Sequence, residues 1–330
     1  MTTVAPDVTS SGPVSAPPSR LAAGLGFAVA SAAAFGMSGA WARGLLDTGW
    51  SPGAVVLVRV GLAALVVVPF GLIALRGRWS LLRRNTGLIV MYGVLAVAGA
   101  QFCYFSAVQY MQVGPALLIE YTSPAAVVVW MWLRHHQRPS LMTLVGAGLA
   151  ALGLVLVLDL ITGAALNPVG VLWALGAMVG ATAYFIISAD EGNGLPPLTL
   201  AAGGLVVGSV VLGLLGLVGV LPMTASTAPA VYDGRTVEWW VPLVVLGIVT
   251  AAIAYTTGIA AGRRLGSRLT SFVALLEVVA AIGFAWVLLG ELPRTIQLLG
   301  GLLIMAGVVV VKLGEPKAVR APEPVAGAVL

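Results

Sequence analysis

Between residues 21 and 313 the chain is a succession of apolar runs, each about as long as a helix needs to cross a bilayer, with short polar breaks between them. A helix rises 1.5 Å per residue, so about 20 apolar residues cover roughly 30 Å of hydrocarbon. Ten such runs fall near 21–43, 53–75, 87–109, 114–133, 141–159, 168–188, 197–221, 240–261, 268–289 and 295–313. Lipid offers no hydrogen bonds, so each run must satisfy its own backbone, and a helix does that. A membrane β-barrel would need alternating apolar and polar residues, and the stretch Leu152 to Leu158 does not alternate. The expected fold class is all-α integral membrane, with about ten transmembrane helices.

Composition excludes the soluble alternatives. Hydrophobic residues make up 59% of the chain and charged residues 9%, against about 25% charged in a soluble domain. The net charge of +5 does not point to nucleic acid, because Lys and Arg sit in short clusters between apolar runs rather than on one face. With the N-terminus inside, the inner segments hold Arg20, Arg76, Arg78, Arg83, Arg84, Arg134, Arg138, Arg263, Arg264, Arg268, Lys312, Lys317 and Arg320. The outer segments then hold only Arg43, Arg235 and Arg294. This bias predicts a multi-pass membrane protein with both termini cytoplasmic, and the near absence of lysine beside abundant arginine and alanine points to a bacterial inner (plasma) membrane. The first apolar run reads as a retained span rather than a cleaved signal peptide, residues 1–19 as a disordered cytoplasmic lead and 314–330 as a cytoplasmic tail. The single cysteine, Cys103, rules out a disulfide framework and reads as a small packing residue. Trp50, Trp79, Trp239 and Trp240, near run ends, read as interfacial anchors.

The chain also repeats itself. His136-Gln137-Arg138-Pro139, then Gly146 and Gly153, matches Gly290-Glu291-Leu292-Pro293, then Gly300 and Gly307, in a register that aligns Trp132 with Trp286. Ser51-Pro52 before the second run parallels Pro196-Pro197 before the seventh. The expectation is a first five-helix repeat over 20–160 and a second over 161–313. An odd number of spans per copy turns the second copy upside down, and inverted repeats are the architecture of many secondary transporters.

On these motifs the chain resembles the EamA family of the drug/metabolite transporter superfamily. The resemblance rests on Ser51-Pro52 with Arg59, on Thr122-Ser123-Pro124, on Leu276-Glu277, and on Leu289-Gly290-Glu291 followed by Gly300 and Gly307. Ile119-Glu120-Tyr121-Thr122-Ser123-Pro124 is also similar to the fourth span of amino-acid exporters of the threonine/homoserine type. The chain departs from the family pattern at Val278, where Pro often follows the Glu, and at Gln137, where Glu is common. The resemblance implies a secondary carrier of metabolites, often an exporter, with no bound cofactor.

Charges inside apolar runs mark candidate sites, because each costs about 2.5–3.5 kcal/mol at a helix centre and usually faces a cavity or a partner. Glu120 lies in the fourth run, four residues before Pro124, which cannot donate to the Glu120 carbonyl and marks a hinge. The plainer reading of Glu120 is a protonated acid that only bonds a neighbouring helix. Arg59 either pairs with Glu120, faces an anionic solute group, or snorkels to a headgroup. Glu277 is a pathway or a packing residue. Trp41, Gln101, Tyr104, Tyr121, Tyr184 and Tyr255 complete the candidate lining of an aromatic and polar pathway.

Other chemistry is excluded. The two lysines, Lys312 and Lys317, are not followed by Ser or Thr, so there is no phosphate-binding loop. Ser38 in Gly36-Met37-Ser38-Gly39 lacks a histidine within a span, which argues against a membrane protease. His135 and His136, adjacent in a basic loop, do not make a metal site. The expected function is non-enzymatic: secondary-active export of small amino acids or related metabolites by alternating access. The partners are a small-molecule solute and the lipid bilayer, with monomer and homodimer both open. The alternatives are a broad cation or drug exporter, an importer, and a channel or non-transporting membrane protein.

Overall fold

A computed structural model describes residues 18–123, 126, 129–130, 133, 140–157, 167–188, 192–258, 260–261, 264, 273 and 276–314. The apolar runs form helices: α1 (Leu21–Leu46), α2 (Pro52–Leu75), α3 (Thr86–Tyr110), α4 (Val113–Glu120), α5 (Leu141–Val157), α6 (Pro168–Ser188), α7 (Pro197–Leu217), α8 (Trp240–Gly258), α9 (Leu276–Leu289) and α10 (Thr295–Gly314). Five of these, α1, α2, α3, α7 and α8, are long and apolar enough to cross a membrane. Shorter apolar stretches lie within α5, α6, α9 and α10. A separate short helix, Trp79–Arg84, links α2 to α3. Leu65, Ile73, Leu172 and Leu217 leave most of their side chains exposed, up to 86% for Leu217. So much outward apolar surface is what lipid, not water, covers.

Three helix ends follow local rules. Ser51 caps α2 by accepting from the Ala54 N–H at 3.3 Å, with Pro52 at the first helical position. Arg76 then ends α2 in the left-handed region, at φ 50°. Gly290 ends α9 the same way, at φ 67°. α1 breaks at Met37, between Pro18–Gly36 and Ser38–Leu46.

Helix pairing follows the internal duplication. A β-carbon on Gly153 of α5 would stand 2.5 Å from the Gly300 carbonyl oxygen of α10. One on Gly307 of α10 would stand 2.5 Å from the Gly146 carbonyl oxygen of α5. The four repeated glycines thus exchange partners, which happens when two equivalent helices run antiparallel about a two-fold axis. The same exchange recurs elsewhere. Gly93 of α3 would meet Val207 of α7 at 2.6 Å, and Gly247 of α8 would meet Leu62 of α2 at 2.5 Å. Leu62 and Val207 stand in the register of Pro52 and Pro197, and Gly93 and Gly247 in that of Gly146 and Gly300. Small residues let helix backbones touch where no hydrophobic effect drives helices together in lipid.

Two features stand outside the sequence expectations. α3 and α8 each carry a π-helical stretch, Tyr92–Gly99 and Val245–Ile253, at matching places in the two copies. Between α7 and α8 lies an antiparallel hairpin of β1 (Ala230–Tyr232) and β2 (Arg235–Val237), turning on Asp233 (φ 46°) and Gly234 (φ 75°). This segment caps one end of the bundle. Tyr232 donates to the Trp41 carbonyl at 2.8 Å, and Ser51 donates to the Pro222 carbonyl at 2.6 Å. Trp50 is only 5% exposed, donates to the Ser226 carbonyl at 2.7 Å and stacks on Trp239. Trp50 is therefore a buried tie for the hairpin segment and not an interfacial anchor, whereas Trp79 and Trp240 are exposed.

Candidate solute site

The polar groups inside the bundle gather where α2, α3, α4, α8 and α9 meet. Arg59, from the middle of α2, is 2% exposed. Its guanidinium donates to the Gln101 side-chain oxygen on α3 and, at 3.0 Å, to the Thr250 carbonyl within the π-helical stretch of α8. Its face lies 5.2 Å from the Phe105 ring centroid. The described ion pair of the chain joins Arg43 to Asp47, and none joins Arg59 to Glu120. Arg59 is thus neither snorkelling nor salt-bridged: it ties the first repeat to the second.

The regular helix α4 ends at Glu120, and Tyr121 and Thr122 form a turn beyond it. The proposed hinge, Pro124, lies outside the described residues. Tyr121 donates to the Glu277 carboxylate of α9 at 2.8 Å, a second polar tie between the repeats. Glu120 is half-buried, unlike Leu118 and Ile119, which are fully buried just before it. Among the described residues Glu120 has no hydrogen-bond partner, and no fully buried side-chain nitrogen or oxygen is left unpaired. Its carboxyl oxygens therefore border open space. Glu120 lies within Coulombic range of both Glu277 and Arg59.

Aromatic rings surround this cluster. Tyr255 meets Phe35 edge-on at 5.1 Å between ring centroids, and Tyr184 lies 6.0 Å from Tyr92. Tyr104 is buried against Phe105, with its hydroxyl filling the room left by Gly39. Arg59, Tyr104 and Tyr255 share an electrostatic neighbourhood with Glu120 and Glu277. Trp41 stands apart, its ring 4.7 Å from Tyr232 at the hairpin cap. Cys103 packs toward Gly176 of α6, as a small packing residue does. Sequence reasoning missed Phe105, Tyr92 and Thr250, which lie in apolar runs with nothing to single them out. The Asp233-Gly234 turn signal could have revealed the hairpin.

Antiparallel helix pairs related across the chain, around a buried polar cluster shared by both copies, define a multi-pass membrane transporter. The chain belongs to the EamA-like transporter family, whose profile matches residues 22–159 and again residues 168–313. It is 25% identical over 277 residues to the threonine/homoserine exporter RhtA of Salmonella typhimurium, in two strains, covering 80% of this chain and 83% of the exporter. A crystal structure is similar in fold at TM-score 0.59 and 20% identity, over 90% of this chain and 98% of that one. The chain is accordingly a member of the drug/metabolite transporter superfamily and not an enzyme.

Proposed function

We propose that this chain is a secondary-active exporter of small amino acids or related metabolites, working by alternating access in a bacterial inner membrane with both termini cytoplasmic. The observation that carries the reading is Glu120: a carboxyl with no hydrogen-bond partner among the described residues, bordering open space and held between two inverted halves. A carboxylate there can bind a solute ammonium group or carry a coupling proton. Arg59 orients the halves, and the supporting fact is that its donors go to Gln101 and to the Thr250 carbonyl. Tyr255, Phe35 and Tyr184, all partly exposed, offer ring surface to the apolar part of the cargo. The similarity to a threonine/homoserine exporter supports the solute class.

A second reading, export of organic cations, is favoured by one feature. Two carboxyl groups, Glu120 and Glu277, lie in a cluster whose guanidinium, that of Arg59, is already engaged. Efflux from proteoliposomes separates the two. Saturable efflux of threonine or homoserine, lost in Glu120→Gln, is the result expected of an amino-acid exporter. Efflux of an organic cation without any amino acid would replace that reading with the second.

A further inference from the structure

The Leu289-Gly290-Glu291 motif has no part in the cluster just described, yet it reaches the helix that carries Glu120. Gly290 adopts φ 67°, which closes α9 and turns the chain back, with the Glu291 N–H donating to the Ala285 carbonyl at 3.2 Å. The Glu291 carboxylate then accepts the backbone N–H of Val113 at 3.2 Å. Val113 is the first residue of α4, where unpaired N–H groups and the helix dipole favour a negative charge. That bond crosses from the second copy to the first. The same turn is held from the other side by Arg43 of α1, which donates to the carbonyls of Val108 (2.6 Å) and Met111 (3.3 Å) and pairs with Asp47 at 3.0 Å. Below the bond, Gly114 packs close to Pro293 and Ile282.

We infer that Glu291 is a releasable cap on α4. It holds the α3–α4 turn, and through α4 the Glu120 carboxyl, in the arrangement closed at the hairpin end, and it lets go when that end opens. The inference rests on the alternating-access reading above. It assigns the Gly-Glu motif a positioning role: α4 is fixed to the opposite repeat at its first residue by Glu291 and just beyond its last by Tyr121 with Glu277. Opening at the hairpin end must break the first tie. A carboxylate-to-N–H bond is strong enough to bias a gate and weak enough to break.

The test is side-specific thiol labelling. In a Cys103→Ala background, Ile282→Cys places one thiol beneath the cap. A membrane-impermeant maleimide is applied to oriented vesicles from either face, without solute. Glu291→Ala should raise the labelling rate from the hairpin face about tenfold while labelling from the other face and the melting temperature stay near the parent's. Glu291→Gln, which keeps an acceptor oxygen for the Val113 N–H, should stay near the parent. Unchanged labelling in Glu291→Ala would overturn the proposal. So would a rise from both faces with a lowered melting temperature, the mark of a merely structural residue. Labelling reads the gate whatever the cargo is, so failure of the amino-acid reading and failure of this one are distinguishable.

Discussion

At the scale of single residues, the account turns on charges that the membrane should exclude. Arg59 and Glu120 are legible in the sequence because an ionisable group in an apolar run is costly unless something compensates for it. What compensates is not legible: Gln101 lies on another helix, and the Thr250 carbonyl carries no side-chain signature. Removing the guanidinium strands both acceptors in the core. Arg59→Met is therefore expected to lose about 3 kcal/mol of stability, read as melting in detergent, and adding Gln101→Leu should recover part of it. A double variant no more stable than Arg59→Met would contradict this. Glu291 makes a pH prediction. Burial raises its carboxyl above the ordinary range, more than the Val113 N–H and Arg43 lower it. The folded state then binds this proton more tightly than the unfolded chain, so its contribution is full below the unfolded pKa of about 4.3 and declines as pH rises through the folded one. Relative to the non-titrating Glu291→Gln, the wild-type melting temperature should fall as pH is raised from about 4 toward neutrality.

At the scale of elements, the apolar runs and the glycine register carried most of the information. The repeated glycines of α5 and α10 were visible as a motif, and their exchange of partners explains why the motif repeats. Gly153→Ala and Gly307→Ala should each lower stability by about 1–3 kcal/mol, and by similar amounts, because each forces a methyl group against backbone on the facing helix. Gly148→Ala, with nothing within 4 Å of the new β-carbon, should be neutral or stabilising by up to about 1 kcal/mol. Unequal effects at Gly153 and Gly307 would count against the two-fold relation. The π-helical stretches escaped sequence reading, since one extra residue per turn leaves no periodic trace in a helix that is apolar all round. The hairpin escaped it because strands of three residues are too short to show alternation. In the sequence Trp41 falls on a polar and aromatic helix face, but Tyr232, from a distant segment, draws it to the cap.

At the scale of the whole molecule, two related halves carry unlike side chains at the site. Arg59 of the first copy has Gly204 at its matching position, where the Tyr92 ring occupies the space a side chain would need. The scaffold pairs equivalent helices of the two copies, while the side chains at the site differ between them. The central claim is that Glu120 couples that lining to movement of a small solute. Efflux of labelled threonine and homoserine from proteoliposomes, with and without a pH gradient, tests it most directly. The account predicts saturable efflux by the wild type and, in Glu120→Gln, a loss of at least about tenfold or of its response to the pH gradient. Equal efflux by the two proteins at every pH would contradict it.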